Sequence, residues 1–349
     1  MQLGAGDGGR HGKTIITNDG ATILKSVWLD NPAAKILADV ALQQDTVCGD
    51  GTTGVVVLAA ELLKQAEILV NQNIHPQIIT QGYRRALTAA RERLEHISFG
   101  CEKERLREYL INVAKTTLSS KLLTHDKDHF AKIAVDAILR LKENASSLDL
   151  VNIIRKPGGC LRDSFLDEGF ILEKHIGKTV DKFFWVNAYD YVQSKLGYCK
   201  KVEEILIGED KVIRFSGCRR ECPSETTPCA RVYVSSESIM RLFHVIESLQ
   251  SLAVEAFAKA LRQIPTIILE NGGLDSAEIV SQLRVLHLRG ESSMGIDVEA
   301  GCIADMRAKG VLEAYKSKLS QICFAAEAAE MIVRVDDIIR CAPRERSGM

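Results

Sequence analysis

The stretch Val47-Cys48-Gly49-Asp50-Gly51-Thr52-Thr53-Gly54, followed at once by Val55-Val56-Val57-Leu58-Ala59-Ala60, decides how this chain is read. Val56, Ala59, Ala60, Leu63, Ala66 and Val70 recur at steps of three and four, which predicts a helix from about Thr53 to Asn71. The glycines before it let backbone amides turn inward, and a helix N-terminus favours anions. The hydroxyls of Thr52 and Thr53 are donors for phosphate oxygens. Asp50 is a hard oxygen ligand of the kind Mg²⁺ takes when held between phosphates. A plain helix cap explains the same residues without any ligand. On the residues alone, both readings stay open.

Toward the N-terminus, Thr14-Ile15-Ile16-Thr17 is β-branched and reads as a strand. Asn18-Asp19-Gly20 reads as a turn, after which Ala21 to Val27 resumes an apolar pattern. Taken alone, this is an ordinary hairpin turn. Facing the Gly49–Thr53 loop, it would bring Asp19 to a water and Thr22 to a phosphate. The lysine that follows the second glycine of a Walker A loop is absent, which speaks against a P-loop phosphotransferase. Asn31-Pro32 opens a helix with proline at its first position, carrying Ala33, Leu37 and Val40 on one face.

Toward the C-terminus, helices are expected over 77–96, 105–114 and 128–141. Beyond residue 150 the character changes. Val151-Asn152-Ile153-Ile154, Phe170-Ile171-Leu172, Val202–Ile207 and Lys211–Phe215 read as short strands, the last two as a pair joined by Gly208-Glu209-Asp210. Residues 219–253 show no clear pattern. Helices return from Glu255, over 277–288 and from about Lys318 to Asp336. The fold class is therefore mainly α with a mixed α/β insert, the helical part coming from both chain ends.

Composition narrows the partners. The 349 residues carry a net charge of -1, 26% charged and 5% aromatic residues, so neither nucleic acid nor an anionic membrane finds an electrostatic footprint. No apolar run reaches the ~18 residues that span a bilayer. Met1 to Gly12 is polar and glycine-rich, without the apolar core of a secretory leader. The ten cysteines are irregularly spaced, which suits reduced thiols in the cytoplasm. Asn144-Ala145-Ser146 fits a glycosylation acceptor only in a secreted chain.

Several longer motifs point further. Thr17-Asn18-Asp19-Gly20-Ala21-Thr22-Ile23-Leu24, then Asp30-Asn31-Pro32-Ala33-Ala34-Lys35, then the Val47–Gly54 loop stand in one order. Thr116-Thr117-Leu118-Ser119-Ser120-Lys121, Ile207-Gly208-Glu209-Asp210 and Val333-Arg334-Val335-Asp336-Asp337-Ile338-Ile339 follow. This series resembles the group II chaperonins. Leu122-Leu123-Thr124-His125, Asp128-His129-Phe130 and Leu166-Asp167-Glu168-Gly169-Phe170 place it near the beta-subunit branch of the eukaryotic TRiC/CCT complex. The likeness covers roughly 14–175, 196–217 and 254–346.

The resemblance implies equatorial, intermediate and apical domains. The boundaries it suggests are 1–115 and 254–349 for the equatorial domain, 116–168 for the intermediate domain, 169–217 for an apical remnant and 218–253 for a divergent junction. It implies a subunit of a hetero-oligomeric double ring that folds unfolded clients such as actin and tubulin in the cytoplasm, with ATP and Mg²⁺ as cofactors. By position, Gly20, Gly49, Gly51, Thr52 and Thr53 would bind phosphates, Asp50 would hold Mg²⁺, and Asp19 would help activate the attacking water. Lys121 would sit where the γ-phosphate is sensed. Gly295, Asp297 and Asp305 would meet the nucleoside, Asp305 through a ribose hydroxyl. A turn or helix cap is the other reading of Asp305.

The chain also departs from the family. The first equatorial helix and the Leu-Gly-Pro-Lys-Gly loop after it are not found; a disordered start, including Gly6-Asp7-Gly8-Gly9, is expected instead. Residues 178–195 do not match, and their aromatics, Phe183-Phe184-Trp185 and Tyr189-Asp190-Tyr191, are expected to plug a shortened fold. The second catalytic aspartate and the glycine triplet are not found in 219–253, where only Val232-Tyr233 is a trace of the family pattern. Cys218, Cys222 and Cys229 lack a fourth zinc ligand nearby and are expected as free thiols. The leading expectation is an ATP-dependent chaperone subunit. The alternative is a non-catalytic or incomplete relative that binds nucleotide weakly, so enzymatic activity stays open at this point.

Overall fold

The computed structural model describes residues 2–5, 14–100, 103–141, 151, 153–155, 158–167, 170–172, 201–207, 210–216, 231–233 and 249–338. Gly6–Gly9, Asn144-Ala145-Ser146, the 178–195 aromatics, Gly208-Glu209 and Cys218, Cys222 and Cys229 lie outside these residues. The chain divides into two compact units, one of 1–124 with 229–349 and the other of 125–228.

The first unit is built on helices. They are α1 (Gly20–Ser26), α2 (Pro32–Cys48), α3 (Thr52–Asn71), α4 (Pro76–Ile97) and α5 (Leu106–Leu118) from the first half. Helices α7 (Leu249–Asn271), α8 (Ser276–Arg289) and α9 (Tyr315–Val333) come from the second half. Helix α3 packs against α2, α7 and α9, and α4 packs against α7 and α9, so the two chain ends share one core. That core holds Leu58, Leu62, Ile79, Tyr83, Val254 and Phe257, all at most 2% exposed. The Tyr83 hydroxyl donates to the Leu62 carbonyl at 2.8 Å, and its ring meets Phe257 edge-on at 5.6 Å. Burial pushes its phenol well above the ordinary value. Gly82 permits the close crossing of α4 and α7, since a Cβ there would stand 2.5 Å from the Ala253 methyl. Arg84 pairs with Glu330 at 2.9 Å and ties α4 to α9.

Short strands complete this unit. β1 (Gln2–Ala5) pairs antiparallel with β2 (Thr14–Thr17). The expectation of disorder from Met1 therefore fails for Gln2–Ala5: extended backbone finds its hydrogen-bond partners on β2. β3 (Phe99–Gly100), β7 (Arg231–Tyr233) and β10 (Glu313–Ala314) form a sheet in the order β10-β7-β3, which takes up Val232-Tyr233. β8 (Met294–Asp297) and β9 (Cys302–Asp305) form a hairpin that the spacing alone did not suggest.

The second unit contains α6 (Lys127–Leu141) and a sheet of β4 (Phe170–Leu172), β5 (Lys201–Ile207) and β6 (Asp210–Ser216) in the order β4-β6-β5. The expected strand pair is present, in antiparallel register from Lys201 opposite Ser216 to Ile207 opposite Asp210. The strand expected at 151–154 is not: Val151, Ile153 and Ile154 are irregular. A short β-branched run forms a strand only where a neighbour supplies its ladder.

The hairpin expected around Asn18-Asp19-Gly20 is also corrected. The chain turns there into α1, because the Asp19 side chain caps the first turn better than a strand could follow it. Asn31 with Pro32 opens α2 as expected. No helix among the described residues is long and apolar enough to cross a membrane.

Candidate nucleotide site

Two left-handed glycines shape the loop between α2 and α3. Gly49, at φ 69°, ends α2 and donates its N–H to the Asp45 carbonyl at 2.8 Å. Gly51, at φ 81°, is the N-cap of α3. The first amides of α3 are therefore left for an outside acceptor. Thr52 is buried at 5% exposure, whereas Thr53 is exposed. The underside of the loop is held from α9: a Cβ on Gly51 would fall inside the Gln321 side-chain amide, and one on Gly54 would stand 3.3 Å from its oxygen.

The β2–α1 turn faces this loop. A Cβ on Gly20 would stand 2.6 Å from the Thr53 hydroxyl and 2.8 Å from that of Thr52, so only glycine admits the approach. Asp19 Oδ2 accepts from the Thr22 amide at 3.0 Å and its hydroxyl at 2.8 Å, while Oδ1 accepts from Lys121 Nζ at 3.1 Å. Partial burial works against the Asp19 charge. The Thr22 hydroxyl and amide and the Lys121 ammonium outweigh it and hold the carboxyl below the usual carboxylate value. Thr22 is thus occupied by Asp19.

Two further segments close around Asp50. From α5, Thr117 Oγ1 donates to Asp50 Oδ2 at 3.1 Å, which leaves Oδ1 without a hydrogen-bond partner among the described residues. From α9, Lys318 pairs with Glu313 at 2.6 Å. Lys318 keeps 30% of its side chain exposed. Burial pushes its ammonium pKa down, opposed by the nearby Asp50 carboxylate. A single free carboxylate oxygen beside open helix amides and hydroxyls suits Mg²⁺, which takes one or two carboxylates plus phosphate oxygens.

The second group of expected site residues is held differently. Gly295, Asp297 and Asp305 lie on the β8–β9 hairpin. Asp297 pairs with Lys309 and accepts from the amides of Glu299 and Ala300 at 3.1 and 3.2 Å. Asp305 accepts from the amides of Arg307 and Ala308 at 2.9 and 3.4 Å, closing its own turn, and also from the Ser293 side chain. The Lys309 ammonium holds the Asp297 carboxyl low, and the turn amides do the same for Asp305 against partial desolvation. Among the described residues, no hydrogen bond or ion pair joins these three to the Gly49–Thr53 loop.

Sequence reasoning missed Gln44, Thr117, Glu313, Lys318 and Gln321. Thr117 stood inside a quoted motif but lacked an assigned role. Gln44 was findable: it lies on the buried face of α2 with Val40 and Ala41, where a polar side chain needs a partner. Glu313 and Lys318 are sited by the tertiary fold and carry no local signal.

The description of the matching family model is the TCP-1/cpn60 chaperonin family, and the match covers residues 8–188 and 229–343. The chain belongs to the TCP-1/cpn60 chaperonin family. It is 37% identical to T-complex protein 1 subunit beta of Dictyostelium discoideum over 472 aligned residues, 96% of this chain and 88% of the relative. The same subunit of Caenorhabditis elegans is 38% identical, over 95% of this chain and 88% of the relative. That of Homo sapiens is 36% identical, over 97% and 88%. Each alignment is longer than this chain's 349 residues, so each chaperonin relative carries an internal stretch that this chain lacks. The family match breaks between 188 and 229 and covers 178–188, which the motif comparison had left unmatched.

Proposed function

We propose that this chaperonin-family chain binds Mg²⁺ and ATP between the Gly49–Thr53 loop and the Asp19–Gly20 turn, and works as one subunit of a hetero-oligomeric double ring. The observation that carries the reading is the close approach of Gly20 to Thr52 and Thr53, with Asp50 beside them. The metal would supply charge neutralisation between phosphate oxygens. The chain's own residues would bind and orient. The Gly51–Thr53 amides and hydroxyls hold phosphate, Asp50 Oδ1 holds the metal, and Lys121 lends positive charge at the Asp19 side. Asp19, kept ionised by Thr22 and Lys121, would accept a hydrogen bond from an attacking water.

The finer assignments are also proposals. Residues 1–115 and 254–349 would be the equatorial body, 116–168 the intermediate hinge, 169–217 a shortened apical part and 218–253 a divergent junction. Clients would be unfolded cytoplasmic proteins such as actin and tubulin. Expression of the tagged chain in eukaryotic cells, followed by sedimentation, tests ring membership. Co-migration with the large chaperonin particle is the expected result; migration as a free monomer would refute it.

A further inference from the structure

Gln44 is fully buried on α2, at 0% exposure. Its amide nitrogen donates to the backbone carbonyl of Asp50 at 2.9 Å and lies 3.5 Å from the carbonyl of Ser317 on α9. Its own carbonyl oxygen is buried without a hydrogen-bond partner. Packing alone gives no reason for this side chain. Methionine or leucine would fill the space without burying a polar oxygen, and an unmatched buried acceptor is costly.

What the glutamine contributes is a grip on one peptide group. Asp50 stands between Gly49 and Gly51, both with positive φ, in the most torsionally permissive stretch of the loop. If the backbone of Asp50 turned on its two glycine neighbours, the residue would carry its carboxylate away from Thr117. Gln44 fixes the carbonyl end of the residue, and Thr117 fixes the carboxylate end. The Ser317 contact and the Cys48–Ser320 contact at 3.2 Å anchor this grip to α9.

We infer that Gln44 is a positioning residue for the metal-binding carboxylate, acting through Asp50 and touching neither metal nor nucleotide. The inference rests on the reading of Asp50 proposed above. It is tested by titrating the full chain with ADP, with and without Mg²⁺, in four forms: unaltered, Gln44→Met, Asp50→Ala and the double variant. Gln44→Met should weaken Mg²⁺-dependent ADP binding about 10-fold, as loss of a ligand's supporting partner does, and weaken Mg²⁺-free ADP binding clearly less. In the Asp50→Ala background the same change should have no further effect. Equal affinities for the unaltered and Gln44→Met chains, or additive losses in the double variant, would overturn the inference. If Asp50→Ala itself leaves the Mg²⁺ dependence intact, the metal assignment falls and this inference with it. Should Gln44→Met not fold, selective glutamine ¹⁵N labelling of the unaltered chain serves. The Gln44 amide signal should shift on adding Mg²⁺ and ADP, and not in Asp50→Ala; an unmoved signal would contradict the inference.

Discussion

Two regions carry acidic residues that the sequence motifs assign to a nucleotide, and they differ most in how Asp50 is held. Around Gly49–Thr53, each acid engages a distant segment: Asp19 meets Lys121, and Asp50 meets Thr117 and, through its backbone, Gln44. On the β8–β9 hairpin, Asp297 and Asp305 accept from amides two and three residues ahead, Asp297 also from Lys309 and Asp305 also from the Ser293 side chain. An acid that closes its own turn is explained by the turn. Asp50 is different: it caps no turn of its own, is held from two helices, and keeps one oxygen without a hydrogen-bond partner among the described residues.

Glycine substitutions separate the two regions most sharply. Gly51→Ala should abolish ADP binding and lower stability by about 2–5 kcal/mol, combining left-handed backbone strain with the collision against Gln321. Gly295→Ala meets only the flexible Met306 side chain, so about 1–3 kcal/mol is expected, with ADP affinity kept. Thermal unfolding and an ADP titration on the two variants check both; loss of binding in Gly295→Ala alone would reverse the comparison.

Charge comes next. Asp19→Asn keeps a capping oxygen but loses the ion pair with Lys121, which is about one-third exposed. A loss of roughly 0.5 kcal/mol, shrinking with added salt, is expected from unfolding curves. The pH dependence has a definite sign. The folded Asp19 carboxyl titrates below its ordinary 3.8, so its contribution is complete above that value and fades as pH falls through the lower folded one. Acid unfolding of Asp19→Asn should lack this component. The most local effect belongs to Asp305→Ala: loss of two turn hydrogen bonds and about 1 kcal/mol of local stability, with hydrogen exchange rising only near Arg307 and Ala308.

Much of this was legible in the chain itself. The helices α2 and α4 follow from capping residues and three-to-four spacing, and α3 from its spacing alone, since its N-cap Gly51 offers no side chain. The loop glycines follow from the need for positive φ. The start of α1 is harder to read, because Asp19 and Gly20 suit a hairpin turn as well as the N-cap that Asp19 forms with the Thr22 amide. Lys318 and Glu313 were illegible: their importance lies in what α9 is packed against. Asp305 reads both ways: its turn hydrogen bonds explain it locally, and its family motif assigns it to a ribose hydroxyl.

The most direct measurement is a calorimetric titration of Mg²⁺ and ADP into the unaltered chain, Asp50→Ala and Asp305→Ala. Asp50→Ala should bind at least about tenfold more weakly than the unaltered chain, and Asp305→Ala within about threefold of it, less than a kcal/mol. Equal affinities for the two variants, or the greater loss in Asp305→Ala, would contradict the placing of the metal-and-phosphate site at the Gly49–Thr53 loop.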